Sequence, residues 1–347
     1  MDTDIALFLA QDGLTNGAIY ALMALALVLV FAVTRIIFVP QGEFLAYGAL
    51  TLAALQAGRL PGTAWLLLGM GAAAFAADLI GALRRRRLQP LAASAGWNLA
   101  LPAATVALAW ALAGRPIGLA GQVALTALLV VPIGPLLYRV AYQPIAHAPV
   151  LVLLIVSVAL HLALSGIGLV LFGPEGTRTT PFSEQSHQIG VLLVTGQSLW
   201  VYACSLALVA LLYLFFRHTL YGKALRATAV NRIGARLSGI STGLAGKACF
   251  LLAAGIGVFS GVLIAPITTI YYDTGFLVGL KGFVGAIIGG LVSYPLALAG
   301  ALLVGLLESF ASFWASAYKE VIVFTLIIPV LLWLSLRNRH HDEEEEA

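Results

Sequence analysis

The sequence predicts an all-α, polytopic integral membrane protein of about eleven transmembrane helices, within a range of roughly 9–11. Three observations lead there. Hydrophobic residues make up 61% of the 347 and charged residues only 10%, a balance outside that of soluble domains. Apolar runs close to the ~20 residues that cross a bilayer recur at 12–33, 41–57, 64–83, 97–113, 119–138, 149–172, 199–216, 246–267, 277–292, 295–314 and 318–336. Most charged residues gather between those runs. No long polar block interrupts the series, so residues 1–347 read as one transmembrane domain.

The elements follow in order. The N-terminus carries Asp2, Asp4 and Asp12 and lacks a basic leader with a cleavage site, so the first helix is expected to serve as the insertion signal. The second run follows Val39-Pro40-Gln41-Gly42, a join that a broken or re-entrant helix would use. Glu43 then falls in its first turn, expected at the cytoplasmic edge, where an anion suits a helix N-terminus. Arg84, Arg85, Arg86 and Arg87 join the third and fourth runs, and Asp78 lies within two turns of Arg84, where a structural role is expected. Residues 172–198, with Gly173-Pro174-Glu175-Gly176, form the longest external loop.

Six Lys or Arg residues with no Asp or Glu occupy 217–247. Each would cost about 2.5–3.5 kcal/mol at a helix centre, so the stretch belongs at a cytoplasmic surface. It is too rich in helix formers for a turn, and a short helix over 222–240 is expected, with Leu225, Ala229, Ile233 and Leu237 at four-residue spacing as partner contacts. A helix lying on anionic lipid is the competing use of the same residues. Small residues recur at the same spacing later: Ala253, Gly257, Gly261 and Ala265; Gly275 and Gly279; Gly285 and Gly289; Ala297, Ala301 and Gly305. Such rows let helix backbones approach closely in lipid. Lys281 is expected to snorkel to the outer face. Glu308, deeper in its helix, reads equally as a satisfied buried carboxyl and as a group lining a path. The acidic end, 340–347, reads as a disordered tail.

Orientation follows from charge. With the N-terminus outside and the C-terminus in the cytoplasm, 14 of the 19 Lys and Arg residues lie inside; Arg59, Arg115, Arg178, Lys281 and Lys319 do not. Other chemistry is missing. There is no phosphate-binding glycine loop, no H-E-x-x-H and no G-x-S-x-G. Cys204 and Cys249 sit in apolar runs without metal-ligand spacing, and the histidines do not cluster outside the tail. Neither an enzyme site, a metal, a cofactor nor nucleic-acid binding is expected.

A set of ordered motifs then carries a resemblance. Asn16-Gly17-Ala18-Ile19-Tyr20-Ala21-Leu22 resembles the N-G-x-x-Y-A-L opening of branched-chain amino acid ABC-importer permeases. Gln41-Gly42-Glu43-Phe44 with Tyr47-Gly48-Ala49 resembles their H-G-E…G-A-Y segment, and Tyr142-Gln143-Pro144 their Y-R-P. Residues 222–227 and 235–240 are similar to their G-R-A-L-R-A…A-x-L-x-G-I coupling loop. Leu280-Lys281-Gly282-Phe283, Gly289-Gly290, Pro295 and Gly305-Leu306-Leu307-Glu308 are similar to L-K-A-F…G-G…P-G-A…G-x-x-E. The resemblance covers 12–58 and 119–336, leaving 64–113 as an insertion of two spans. It departs from the pattern at Gln41, Phe38 and Val39, where the family has histidine, asparagine and phenylalanine.

The resemblance implies a permease subunit in a bacterial inner membrane. Its partners would be a second homologous permease chain, two cytoplasmic ABC ATPases and a periplasmic substrate-binding protein. It would import branched-chain amino acids, or similar small polar solutes such as urea and short amides. Residues 217–245 would be the cytoplasmic coupling loop, with Gly222, Lys223, Leu225, Arg226, Ala227, Ala229, Ile233, Arg236, Leu237 and Gly239 meeting the ATPase. Asn16, Tyr20, Gln41, Glu43, Lys281 and Glu308 would line the path. The alternative is a stand-alone secondary transporter or channel.

Overall fold

A computed structural model describes residues 3–85, 91–115 and 117–332. Arg86, Arg87 and the 340–347 tail lie outside the described residues. The chain is almost wholly helical: α1 (Thr3–Thr34), α2 (Gln41–Gln56), α3 (Thr63–Arg85), α4 (Leu91–Leu112), α5 (Leu119–Ile145), α6 (Val150–Phe172), α7 (Gly196–His218), α8 (Leu220–Val230), α9 (Arg232–Leu237), α10 (Thr242–Ile264), α11 (Thr274–Ile288), α12 (Tyr294–Trp314) and α13 (Lys319–Thr325). Eight helices among the described residues are long and apolar enough to cross a membrane. At 16 and 15 residues, α2 and α11 are shorter, spanning only about 22–24 Å at 1.5 Å per residue.

Their shortness has a structural cause. Arg35 adopts a left-handed conformation (φ 61°) that ends α1, and residues 36–40 turn back into the protein instead of continuing outward. Phe38 is buried among aromatic rings, 4.7 Å from Phe250 and 6.0 Å from Tyr142 between centroids. The chain therefore enters α2 beside the middle of α10, where the Gln41 amide donates to the Ala253 carbonyl at 2.9 Å. This corrects the expected position of Glu43: it is not at an edge but 1% exposed in the core.

The segment 265–273 makes the matching turn before α11. Ile270 and Thr177 exchange backbone hydrogen bonds at 2.9 Å in both directions, and the Gln197 amide donates to the Leu263 carbonyl. The first turns of α2 and α11 then meet. A methyl group on Gly42 would overlap the Gly275 backbone, and one on Gly275 would overlap Gly42. Gly279 lies over Gly42 as Ala46 lies over Gly275, so the crossing is reciprocal.

The small-residue rows are the other seams. Gly257 and Gly261 receive Phe44 and Leu45 of α2, Gly285 and Gly289 receive Ala301 and Ala297, and Gly305 packs onto Gly13 and Gly17. Helix α1 thus runs buried through the middle, enclosed by α10, α11 and α12. By contrast α3 and α4 stand at the side with exposed outer faces. They attach through Asp78, whose carboxylate accepts from Arg139 of α5 (Nε, 2.7 Å), Ser94 Oγ (2.6 Å) and Asn98 (3.0 Å).

Within the long 172–198 connector the structure contains an element that the sequence reading treats as loop. β1 (Ser186–Ile189) and β2 (Leu192–Thr195) form an antiparallel hairpin, closed by Gly190 at φ 63°, where glycine is favoured. Thr195 then caps α7 by accepting from the Ser198 amide.

Candidate functional site

The residues expected on a path fall into two groups. The first forms where α2, α6 and α11 meet. Glu43 Oε1 and His161 Nδ1 lie 2.7 Å apart, and the imidazole stacks on Phe276 at 4.2 Å and 18°. Tyr47, one turn along α2, donates to the Leu164 carbonyl at 2.5 Å. Glu43 sits in the first turn of α2, where the helix dipole favours an anion. Glu43 Oε2 and Gln41 Oε1 are buried without a hydrogen-bond partner among the described residues. Two acceptors left open at such a place suit a donor group passing by.

Beside them lies a cavity of about 150 Å³. Gln41, Phe38 and Val39 line it from the reversal, with Phe276 and Phe283 from α11 and Leu27 from α1. The three positions that depart from the resembled pattern are therefore all wall residues of one apolar chamber. The chamber offers room for an aliphatic side chain and a single amide oxygen for a polar end.

The second group is an ion cluster. Lys281 Nζ lies 2.6 Å from Glu308 and 3.2 Å from Glu320, and Tyr20 donates to Glu308 at 2.6 Å. This corrects the expectation that Lys281 snorkels outward: it is buried and neutralised by acids of α12 and α13. Glu308 is a satisfied carboxyl, held from both sides. Asn16, one turn from Tyr20, is half-buried. His161 and Glu320 escaped the sequence reading. An isolated intramembrane histidine is a signal in its own right, but nothing local names its partner 118 positions away.

The basic segment after α7 folds as two helices, not the single helix expected over 222–240. Thr219 caps α8 by accepting from the Gly222 amide at 2.9 Å, and Gly222 packs against the Phe215 carbonyl with no room for a side chain. Asn231 breaks the run, its extended backbone turning the chain and its Oδ1 accepting from Gly234 to start α9. Gly239, at φ 83°, ends α9, and Ser241 caps α10.

The break divides the apolar residues. Leu225 is 2% exposed and turns into the chain's own core with Gly222 and Thr228, while Ala229 is half-buried. Val230, Ile233 and Leu237 are 87%, 75% and 85% exposed. Lys223, Arg226, Ala227 and Arg236 are exposed beside them. Of the four residues expected as contacts, Ile233 and Leu237 point outward and Leu225 does not. The exposed apolar and basic side chains share one pair of short helices, a platform outside the chain's own core.

Comparison with known proteins agrees in one direction. The family model described as "Branched-chain amino acid transport system / permease component" matches residues 90–331. The LivH high-affinity branched-chain amino acid transport system permease proteins of Salmonella typhimurium and Escherichia coli K12 are each 27% identical over 350 aligned positions, covering 96% of this chain and 95% of theirs. The BraD permease protein of Pseudomonas aeruginosa is 30% identical over 205 positions, covering 56% of this chain and 66% of its own. No solved structure gives a significant match.

Proposed function

Because the chain belongs to the family of branched-chain amino acid transport permease components, we propose that it is one membrane-spanning subunit of an ATP-driven importer in a bacterial inner membrane. A second permease chain, two cytoplasmic ATPases and a periplasmic binding protein complete the assembly. The N-terminus is periplasmic and the C-terminus cytoplasmic, supported by the distribution of the basic residues. Residues 64–113 are a two-helix insertion, supported by their lateral attachment through Asp78 and Arg139.

The observation that carries the reading is the α8–α9 platform. A transport chain with no phosphate-binding loop of its own presents three exposed apolar side chains, together with exposed cations, on a pair of short helices. An apolar centre with a charged rim is the composition of a docking surface. Gly222 seats α8 on α7, and α8 also packs against α1 and α10, so a push on the platform is delivered to spanning helices as a rigid movement. ATP-driven closure of the partners would tilt α7 and α10 and open the α2–α11 crossing beside the Gln41 chamber.

Substrate passes as a zwitterion, its ammonium meeting the open acceptors of Gln41 and Glu43 and its aliphatic side chain the wall of Phe38, Val39 and Phe276. Leucine, isoleucine and valine fit that chemistry. The test is Ile233→Asp with Leu237→Asp. Co-purification of the ATPase and uptake of labelled leucine should both fall at least about tenfold, with the chain still inserted at its normal level. Normal co-purification and uptake overturn the reading. Uptake by the purified chain alone, in vesicles without ATPase, would instead favour a stand-alone carrier.

A further inference from the structure

A second and much larger cavity, of about 790 Å³, lies between α4, α5, α8 and α10, within the range of roughly 300–1,000 Å³ typical of small-molecule sites. Its wall is apolar: Trp97 and Leu101 from α4, Leu136 from α5, Leu225 from α8, and Leu244 and Leu251 from α10. Two cations, Arg139 and Lys247, also line it. Arg139 is taken by Asp78, whose other oxygen is held by Ser94 and Asn98. Lys247 makes no ion pair among the described residues. Ser241 is shared with an adjoining polar hollow that carries Arg232, Arg236 and His147, so the mouth of the slot is positive.

We infer that this cavity binds one anionic phospholipid of the cytoplasmic leaflet, its acyl chain in the slot and its phosphate against Lys247. The leaflet rests on the orientation argued above; the ligand chemistry rests on the wall. An apolar chamber open between membrane helices takes hydrocarbon in preference to water. An apolar helix of a partner subunit would fill it too, yet would leave Arg139 and Lys247 sharing the single Asp78 carboxylate, one positive charge unbalanced away from water. A lipid with a phosphodiester head satisfies both halves at once. Trp97, 71% exposed at the rim, is the residue type that settles at the headgroup boundary. Because α8 supplies Tyr221, Ala224 and Leu225 to the same wall, the bound lipid joins the α3–α4 pair to the helix that receives the ATPase.

The test uses the intact transporter purified from cells. A photo-reactive benzophenone side chain in place of Leu244 is irradiated in membranes, and the adduct is identified by mass spectrometry. Native mass spectrometry of the unirradiated complex counts retained phosphatidylglycerol, in the wild type and in Lys247→Gln and Ala248→Trp, the second filling the slot without removing charge. A phospholipid adduct, with retention about fivefold lower in both variants while the complex stays monodisperse, is the expected result. An adduct to a second permease chain, no adduct at all, or equal retention in all three proteins overturns the inference. ATPase co-purification is scored on the same samples, so loss of lipid with the ATPase retained is told apart from failure of the importer reading.

Discussion

The crossing of α2 with α11 and the attachment of α3–α4 are built by opposite means. At the crossing, Gly42 and Gly275 bring two backbones into contact because neither carries a side chain. The α3–α4 pair reaches the same body through a charged clamp, Asp78 to Arg139, with Ser94 and Asn98 completing the carboxylate. Beside the clamp remains the large open slot. In lipid, where apolar surface alone gives helices little reason to associate, close backbone packing and polar bonds are the two available attractions. The molecule uses the first where helices must fit one way and the second where a peripheral pair must be tethered.

That contrast is breakable, and the largest effect is expected in the core. Lys281→Met leaves Glu308 and Glu320 facing each other without a counter-ion. Breaking a buried pair in this way costs about 3–5 kcal/mol, read as loss of monodisperse protein on solubilisation. Replacing Glu308 by Gln and Glu320 by Gln in the same chain should recover much of that loss, since the three act as one network.

Next in size is the glycine crossing. Gly275→Leu forces α2 and α11 apart and should cost about 1–3 kcal/mol or more, with uptake abolished, while the same change at Gly69, which has open space around it, should be nearly silent. Asp78→Asn comes third. The clamp is partly exposed, so the loss should be at most about 1–2 kcal/mol, seen as easier proteolysis between α3 and α4 with uptake largely retained. A loss of uptake as large as that from Gly275→Leu would erase the distinction between fitted core and tethered periphery. The smallest effect is expected for Trp110→Leu on the outer face of α4, within about 0.5 kcal/mol.

Much of this was legible in the chain. Apolar runs give the spanning helices because hydropathy over a long window reports directly on the solvent a segment prefers. The seams are visible in the rows that hold Gly257 and Gly261, Gly275 and Gly279, Gly285 and Gly289, and Ala297 to Gly305, since four-residue spacing places small residues on one helix face. The acid-free stretch 217–247 marked, from composition alone, a segment apart from the spanning helices, which the structure folds as α8 and α9.

What was not legible depended on distance or on depth. Hydropathy does not tell a helix that starts at a membrane edge from one that starts inside, so the inward reversal at Phe38 and Val39 left Glu43 at the wrong depth. Lys281 looked like a snorkelling residue because its partner Glu320 comes from another helix 39 positions later. His161 stood alone until the fold brought Glu43 to it. The break at Asn231 was readable in principle, because Asn-x-x-Gly is a capping arrangement, but the helix-forming composition on either side masked it.

The most direct test of the account concerns where the α8–α9 platform lies and what covers it. A cysteine at Ile233, in a chain carrying Cys204→Ser and Cys249→Ala, is treated with a membrane-impermeant maleimide. The account predicts no labelling in intact cells, rapid labelling in inside-out vesicles stripped of the ATPase, and protection at least about tenfold when the ATPase is added back. Labelling from outside intact cells, or equal labelling with and without the ATPase, would contradict it.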